Sequence, residues 1–183
     1  TTGRMGPVWV DIPMDVQGAI IDETALKTFE PEAEAKTENP IEQVKAILAT
    51  AERPAVLVGN GVKLDGATET VRAFVAKNRI PVLLTWKMVD FMGYDDPLNY
   101  GHPGIMGSRY ANFIAQNCDV MLVLGSRLDP SLTAFNSRDF ARNAKKIMVD
   151  IDRAEINKIE GVDISVEAPI SNFMDGVKEL NTS

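Results

Sequence analysis

Residues Asp119 to Asp129 read DVMLVLGSRLD. Val120 to Leu124 are apolar without interruption, and Gly125 stops the run. A run this short, bounded by a turn residue, predicts a strand buried on both faces. Ser126, Arg127 and Asp129 follow at once, so polar chemistry sits just past the strand's carboxyl end. The same layout recurs: Pro54 to Val58 (PAVLV) stops at Gly59, Pro81 to Thr85 reads PVLLT, and Lys146 to Asp150 reads KIMVD.

Helical patterns lie between these runs. Ile41, Val44, Ile47, Leu48 and Ala51 form one apolar stripe, opened by Asn39 as N-cap, Pro40 at the first helical position and Glu42 three residues after the cap. Ala67, Val71, Phe74 and Val75 mark a second helix, and Tyr110 to Gln116 a third. Asp152 with Glu155 reads as a capping box. Val162 to Val166 predicts an edge strand. Ile170, Phe173, Met174, Val177 and Leu180 predict a closing amphipathic helix, in which Gly176 costs ~1 kcal/mol relative to alanine. Strands alternating with helices mean βαβ units and a parallel sheet, with right-handed crossovers placing helices on both faces. The expected fold is an open, doubly wound α/β domain over about residues 38–183.

Ahead of it, Gly6 to Pro13 (GPVWVDIP) reads as one strand with no local partner. Asp22 to Glu38 then holds six acids (Asp22, Glu23, Glu30, Glu32, Glu34, Glu38) and two lysines (Lys27, Lys36), and reads as a solvated linker. We expect 1–17 to be the tail of a preceding domain, 18–38 an acidic linker and 39–183 the α/β domain.

The 183 residues carry a formal charge of −7, 45% hydrophobic and 25% charged residues, the balance of a globular chain. An acidic chain argues against nucleic acid as a partner. The single cysteine, Cys118, excludes an internal disulfide and a multi-cysteine metal site; the single histidine, His102, excludes two-histidine metal motifs. No apolar run reaches a membrane span and no signal pattern opens the chain, so no membrane partner and a cytoplasmic setting are expected. The chain opens at Thr1 rather than methionine, as a piece of a longer protein would.

In such sheets ligands bind beyond the carboxyl ends of the strands, where the strand order reverses. Gly59-Asn60-Gly61 offers backbone N–H groups to a phosphate, or is simply a tight turn. It lacks the third glycine of a dinucleotide fingerprint, since position 64 is Leu64. Trp86 to Ser108 is a long loop rich in glycine; its Gly101 to Ser108 stretch either approaches a phosphate at a helix start or covers the sheet edge. Arg127 either forks onto a phosphate or pairs locally with Asp129. Asp150 can accept from a ribose, while Asp152 is more securely a helix cap. Trp86 and Phe91 read as core cover, His102 as an ordinary loop residue, and Cys118 as an unreactive thiol.

Taken in order, six stretches resemble the central domain of thiamine diphosphate-dependent enzymes of the acetolactate synthase and pyruvate decarboxylase type. They are Gly6 to Gln17, Arg53 to Val62, Pro81 to Trp86, Gly101 to Asn112, Asp119 to Asp129 and Ile147 to Lys158. The resemblance implies a mostly parallel six-stranded sheet, Rossmann-like and of the sirtuin-like NAD/FAD-binding type. It implies a parent enzyme that uses thiamine diphosphate and magnesium to act on a 2-keto acid, with flanking domains as partners and a homodimeric or homotetrameric assembly. The family's Gly-Asp-Gly motif does not occur here, so this stretch is expected to be non-catalytic alone, with no catalytic or metal residue of its own. It would serve as spacer and subunit contact.

In that family the central domain binds FAD, ADP or nothing. The matching positions are Gly59, Asn60, Gly61, Thr85, Lys87, Gly104, Gly107, Ser126, Arg127, Asp150 and Asp152. Two departures count against FAD. The run Gly125-Ser126-Arg127-Leu128-Asp129-Pro130-Ser131 lacks the family's second Asp and Arg, and Ser165 to Ala168 lacks its Gly-Asp pair. The alternative reading is a stand-alone module binding NAD, ADP or FAD.

Overall fold

The computed structural model describes residues 6–30 and 40–181. The chain divides into two units, Thr1–Lys36 and Thr37–Ser183. Asn39 and the acidic residues from Glu32 to Glu38 lie outside the described residues.

In the first unit, helix α1 (Met14–Gln17) and a 3-10 turn at Glu23–Ala25 are the regular elements, and Asp22 caps the turn by accepting from Thr24 N. Gly6 to Pro13 forms no strand here. Its alternating residues Val8, Trp9 and Val10 are largely exposed. A strand needs a neighbour for its N–H and C=O groups, and the described residues of this unit supply none.

The second unit is built as α2 (Ile41–Ala49), β1 (Pro54–Val58), α3 (Gly61–Leu64), α4 (Thr68–Asn78), β2 (Val82–Leu84), α5 (Arg109–Asn117), β3 (Val120–Leu124), α6 (Pro130–Thr133), β4 (Lys145–Asp150), α7 (Arg153–Asn157), β5 (Ile164–Glu167) and α8 (Ile170–Val177). The five strands pair in parallel in the order β2-β1-β3-β4-β5. A sixth exists only in outline, where residues 98–101 run beside β2. Val82 N donates to Leu98 O, Tyr100 N to Val82 O and Leu84 N to Gly101 O. The Val82–Asn99 pairing is a single parallel bridge, so the expected sixth strand is rudimentary.

The sheet buries both faces because its strands carry apolar residues on both. Val56, Val58, Leu122, Leu124, Ile147 and Val149 pack with Val44 and Leu48 of α2, Phe74 of α4 and Phe173 of α8. Leu57, Met121, Val123 and Met148 face Ala111 and Ala115 of α5, Leu132 of α6 and Ile156 of α7. Helices thus cover both sides, the doubly wound architecture the alternation implies.

Local details refine the sequence reading. Pro40 is the cap of α2, not its first helical residue, and gives no side-chain bond. Asp152 caps α7 through Ala154 N, but Glu155 does not complete a box; its carboxylate turns to Arg127 and Lys158. Gly176 lies against Ile41 of α2, where a Cβ would come within 2.8 Å of Ile41 Cδ1. The glycine that weakens α8 as a helix therefore lets α2 and α8 approach. Lys146 is buried and donates to the carbonyls of Arg138 and Phe140, which ties down the segment before β4. Burial lowers its pKa.

Candidate functional site

The strand order reverses between β1 and β3, so the loops leaving their carboxyl ends define the first place to look. There the two backbones touch. A Cβ on Gly59 would sit 2.2 Å from Gly125 O, and one on Gly61 would sit 2.7 Å from Gly125 Cα. The glycines thus serve close packing of the two loops. Their N–H groups are already engaged: Gly59 N with Leu124 O, Gly61 N with Gly125 O, and Gly125 N with Val149 O. Gly125 also holds a φ of +59°, a value L side chains rarely adopt.

The other residues named from the sequence follow the carboxyl ends of β1 to β4. Asn60 is half-buried at the start of α3. Thr85 follows β2 and donates its N–H to Val58 O, drawing the β2 loop against β1. Lys87 is exposed in the 3-10 turn Trp86–Met88. Its carbonyl accepts from Lys63 Nζ, which is also ion-paired with Asp90. That pair, in which Lys63 holds the Asp90 carboxyl below its usual range, links the β1 and β2 loops. Ser126 is buried, and its Oγ accepts from Leu128 N at 3.3 Å.

Arg127 pairs with neither Asp129 nor local backbone. Its Nε and Nη2 each donate to a Glu155 carboxylate oxygen at 3.1 Å. Lys158 Nζ donates to Glu155 Oε1 at 2.8 Å. Lys158 first and then Arg127 hold the Glu155 carboxyl below the usual glutamate range, and Glu155 in return raises Arg127. Asp129 instead caps α6, accepting from Ser131 N and Leu132 N. Asp150 is buried at the end of β4 and accepts from Asp152 N; Asp152 accepts from Ala154 N.

Gly104 and Gly107 are placed differently. Asn112 of α5 grips Gly104 from both sides, accepting from its N–H at 2.8 Å and donating to its carbonyl at 3.1 Å. A Cβ on Gly104 would meet Ser131 O at 2.7 Å, and one on Gly107 would meet His102 O at 2.5 Å. Both glycines close turns of the loop onto α5 and α6. His102 packs its ring 4.9 Å from Trp86 and bonds the Met106 carbonyl through Nε2. Phe91 is fully buried, as its core-cover reading expects, whereas Trp86 is half-exposed. Cys118 is buried, and burial pushes its thiol up to about 12.

Sequence reasoning missed Glu155, Lys63 and Asn112. Glu155 carried a signal, its spacing from Asp152, but that spacing equally suits a capping box. Lys63 acts on residues 24 and 27 positions away and Asn112 on one eight positions away, separations that neither the helix nor the strand period reveals. Among the described residues no group of three or more His, Cys, Asp or Glu is placed to hold a metal ion, and no helix is long and apolar enough to cross a membrane.

Comparison with known proteins gives this site its family. Residues 41–177 match the family described as "Thiamine pyrophosphate enzyme, central domain". The chain is 35% identical over 175 residues to the acetolactate synthase isozyme 1 large subunit of Escherichia coli (strain K12), which covers 94% of this chain and 31% of that protein. It is 34% identical over 179 residues to the isozyme 2 large subunit of the same organism, covering 97% and 32%. Acetolactate synthase 1, chloroplastic, of Zea mays is 34% identical over 186 residues, covering 98% and 29%. The chain spans about a third of the length of these relatives. With a doubly wound parallel sheet over the matched residues, the chain belongs to the central-domain family of thiamine pyrophosphate enzymes.

Proposed function

We propose that the chain is the middle portion of an acetolactate synthase-like enzyme that decarboxylates a 2-keto acid and transfers the resulting carbanion to an acceptor. The observation that carries this is the coverage: 94% of this chain aligns with 31% of the isozyme 1 relative. In this reading residues 1–17 complete a preceding domain, 18–38 are the linker and 39–183 are the middle domain. Thiamine diphosphate and magnesium are held by flanking domains, since Gly-Asp-Gly does not occur here. The parent is a cytoplasmic homo-oligomer. Apolar side chains left in solvent around α5 (Met106, Tyr110 and Phe113) favour a role in spacing and domain or subunit contact.

The carboxyl edge of the sheet is, in the same reading, a nucleotide site for ADP or FAD. The residues present suit a phosphate-bearing ligand: the glycines at 59, 61 and 125 bring the β1 and β3 loops into backbone contact, Asn60, Thr85 and Lys87 follow β1 and β2, and Arg127 follows β3 with its guanidinium largely exposed. Ser126 follows β3, and Asp150 and Asp152 lie at the end of β4, on the neighbouring strand ends. Gly104 and Gly107 shape the loop above α5. A bound flavin would supply its own ring chemistry, and these residues would only hold it.

The full-length protein carrying this chain is expected to release carbon dioxide from pyruvate only when thiamine diphosphate and magnesium are added. Folded protein that consumes no 2-keto acid with both present would overturn the enzyme reading. Calorimetric titration of the same protein with ADP and with FAD checks the nucleotide site; heat from neither removes it.

A further inference from the structure

The Arg127–Glu155 contact is bidentate and side-on. Glu155 takes the Nε and Nη2 edge of the guanidinium, one oxygen to each nitrogen. Nη1 has no hydrogen-bond partner among the described residues. The Glu155 side chain is 12% exposed and that of Arg127 60%, so the carboxylate is the inner anchor and the guanidinium the outer arm. Lys158, at the C-cap of α7, braces the same carboxylate. The loop is fixed at its other end as well. Leu128, next to Arg127, holds a φ of +46°, and its N–H bonds to Ser126 Oγ. A left-handed conformation is disfavoured for a non-glycine residue, so the surrounding contacts hold this loop in a conformation the chain does not favour by itself.

We propose that Glu155 is a positioning residue, holding Arg127 side-on so that its free Nη1 edge takes a phosphate oxygen of a nucleoside diphosphate. This rests on the nucleotide reading of the carboxyl edge. A guanidinium suits the task because its planar fork can serve a carboxylate on one edge and a phosphate on another. Asp150 and Asp152 lie near enough to add negative charge to the surroundings of Arg127.

The test is calorimetry of the chain with ADP and with adenosine, for the wild type, Glu155→Gln, Arg127→Gln and the double variant. Expected is a loss of about tenfold in ADP affinity for each single variant, the order of one charge-assisted hydrogen bond, with no further loss in the double variant. Adenosine affinity is expected to stay unchanged in all three. Should Glu155→Gln unfold, Glu155→Asp keeps the charge but is too short for the two-point contact, and is expected to lose ADP affinity in the same way. ADP affinity that stays level or rises when Glu155 is replaced, while Arg127→Gln lowers it, overturns the positioning role alone. A parallel fall in adenosine affinity overturns it too, because the effect is then on the fold. A wild type that binds neither ligand removes the nucleotide reading and this proposal with it.

Discussion

Gly59 is the residue whose replacement bears most directly on the site. Alanine there would place its Cβ 2.2 Å from a backbone oxygen of Gly125, and backbone cannot swing aside as a side-chain end can. We expect Gly59→Ala to destabilise the chain by about 3 kcal/mol, the upper end of overpacking costs. Gly93 has open space around its ideal Cβ, so Gly93→Ala is expected to stay within about 0.5 kcal/mol of wild type. Urea unfolding midpoints at unchanged slope compare the two. Equal midpoints would mean that the β1 and β3 loops do not depend on their close approach. At this scale the sequence was only half legible. Glycine after a strand is visible in DVMLVLGSRLD and PAVLVGNG, but two physical uses of glycine, room for a ligand and room for another backbone, look the same in one dimension. Only the distance between Gly59 and Gly125, far apart along the chain, distinguishes them.

At the scale of elements, hydrophobic period carried the reading furthest. The buried runs at Pro54–Val58 and Val120–Leu124 are strands, and the stripes at 41–51, 67–75 and 170–180 became α2, α4 and α8. These were legible because burial on both faces removes polar residues from the strand, and one-sided burial spaces them on the helix. Gly6 to Pro13 forms no strand among the described residues, because alternation describes a strand's faces and the partner that reading calls for is not within this unit. Gly176 carries the element-scale prediction. Gly176→Ala gains about 1 kcal/mol of helix propensity but displaces the end of Ile41, a flexible group, so its net effect is expected to be within about 1 kcal/mol of zero. Gly176→Leu cannot be absorbed in this way and is expected to cost about 2 kcal/mol. Thermal unfolding of both variants decides; leucine tolerated as well as alanine would show that the α2–α8 approach is not what requires glycine.

For the molecule as a whole, every buried residue among those described lies between 44 and 177. The first unit contributes no buried side chain among its described residues. Removing residues 1–36 is therefore expected to leave the melting temperature of the remainder within about 2 °C, as measured by calorimetry. A larger fall would mean that the first unit stabilises the sheet. The purely parallel sheet has a consequence of another kind, in the timing of assembly. Parallel strands are not joined by tight turns, so each must wait for a crossover to be completed. Asp119 ties the approach to β3 to the approach to β1, accepting from Glu52 N and Arg53 N across 67 and 66 residues. At ~5–20 residues per second of synthesis, β1 emerges roughly 3–13 s before that partner exists. During that interval one edge of an apolar strand stands open, and the nascent chain is then at its most vulnerable to association with its neighbours.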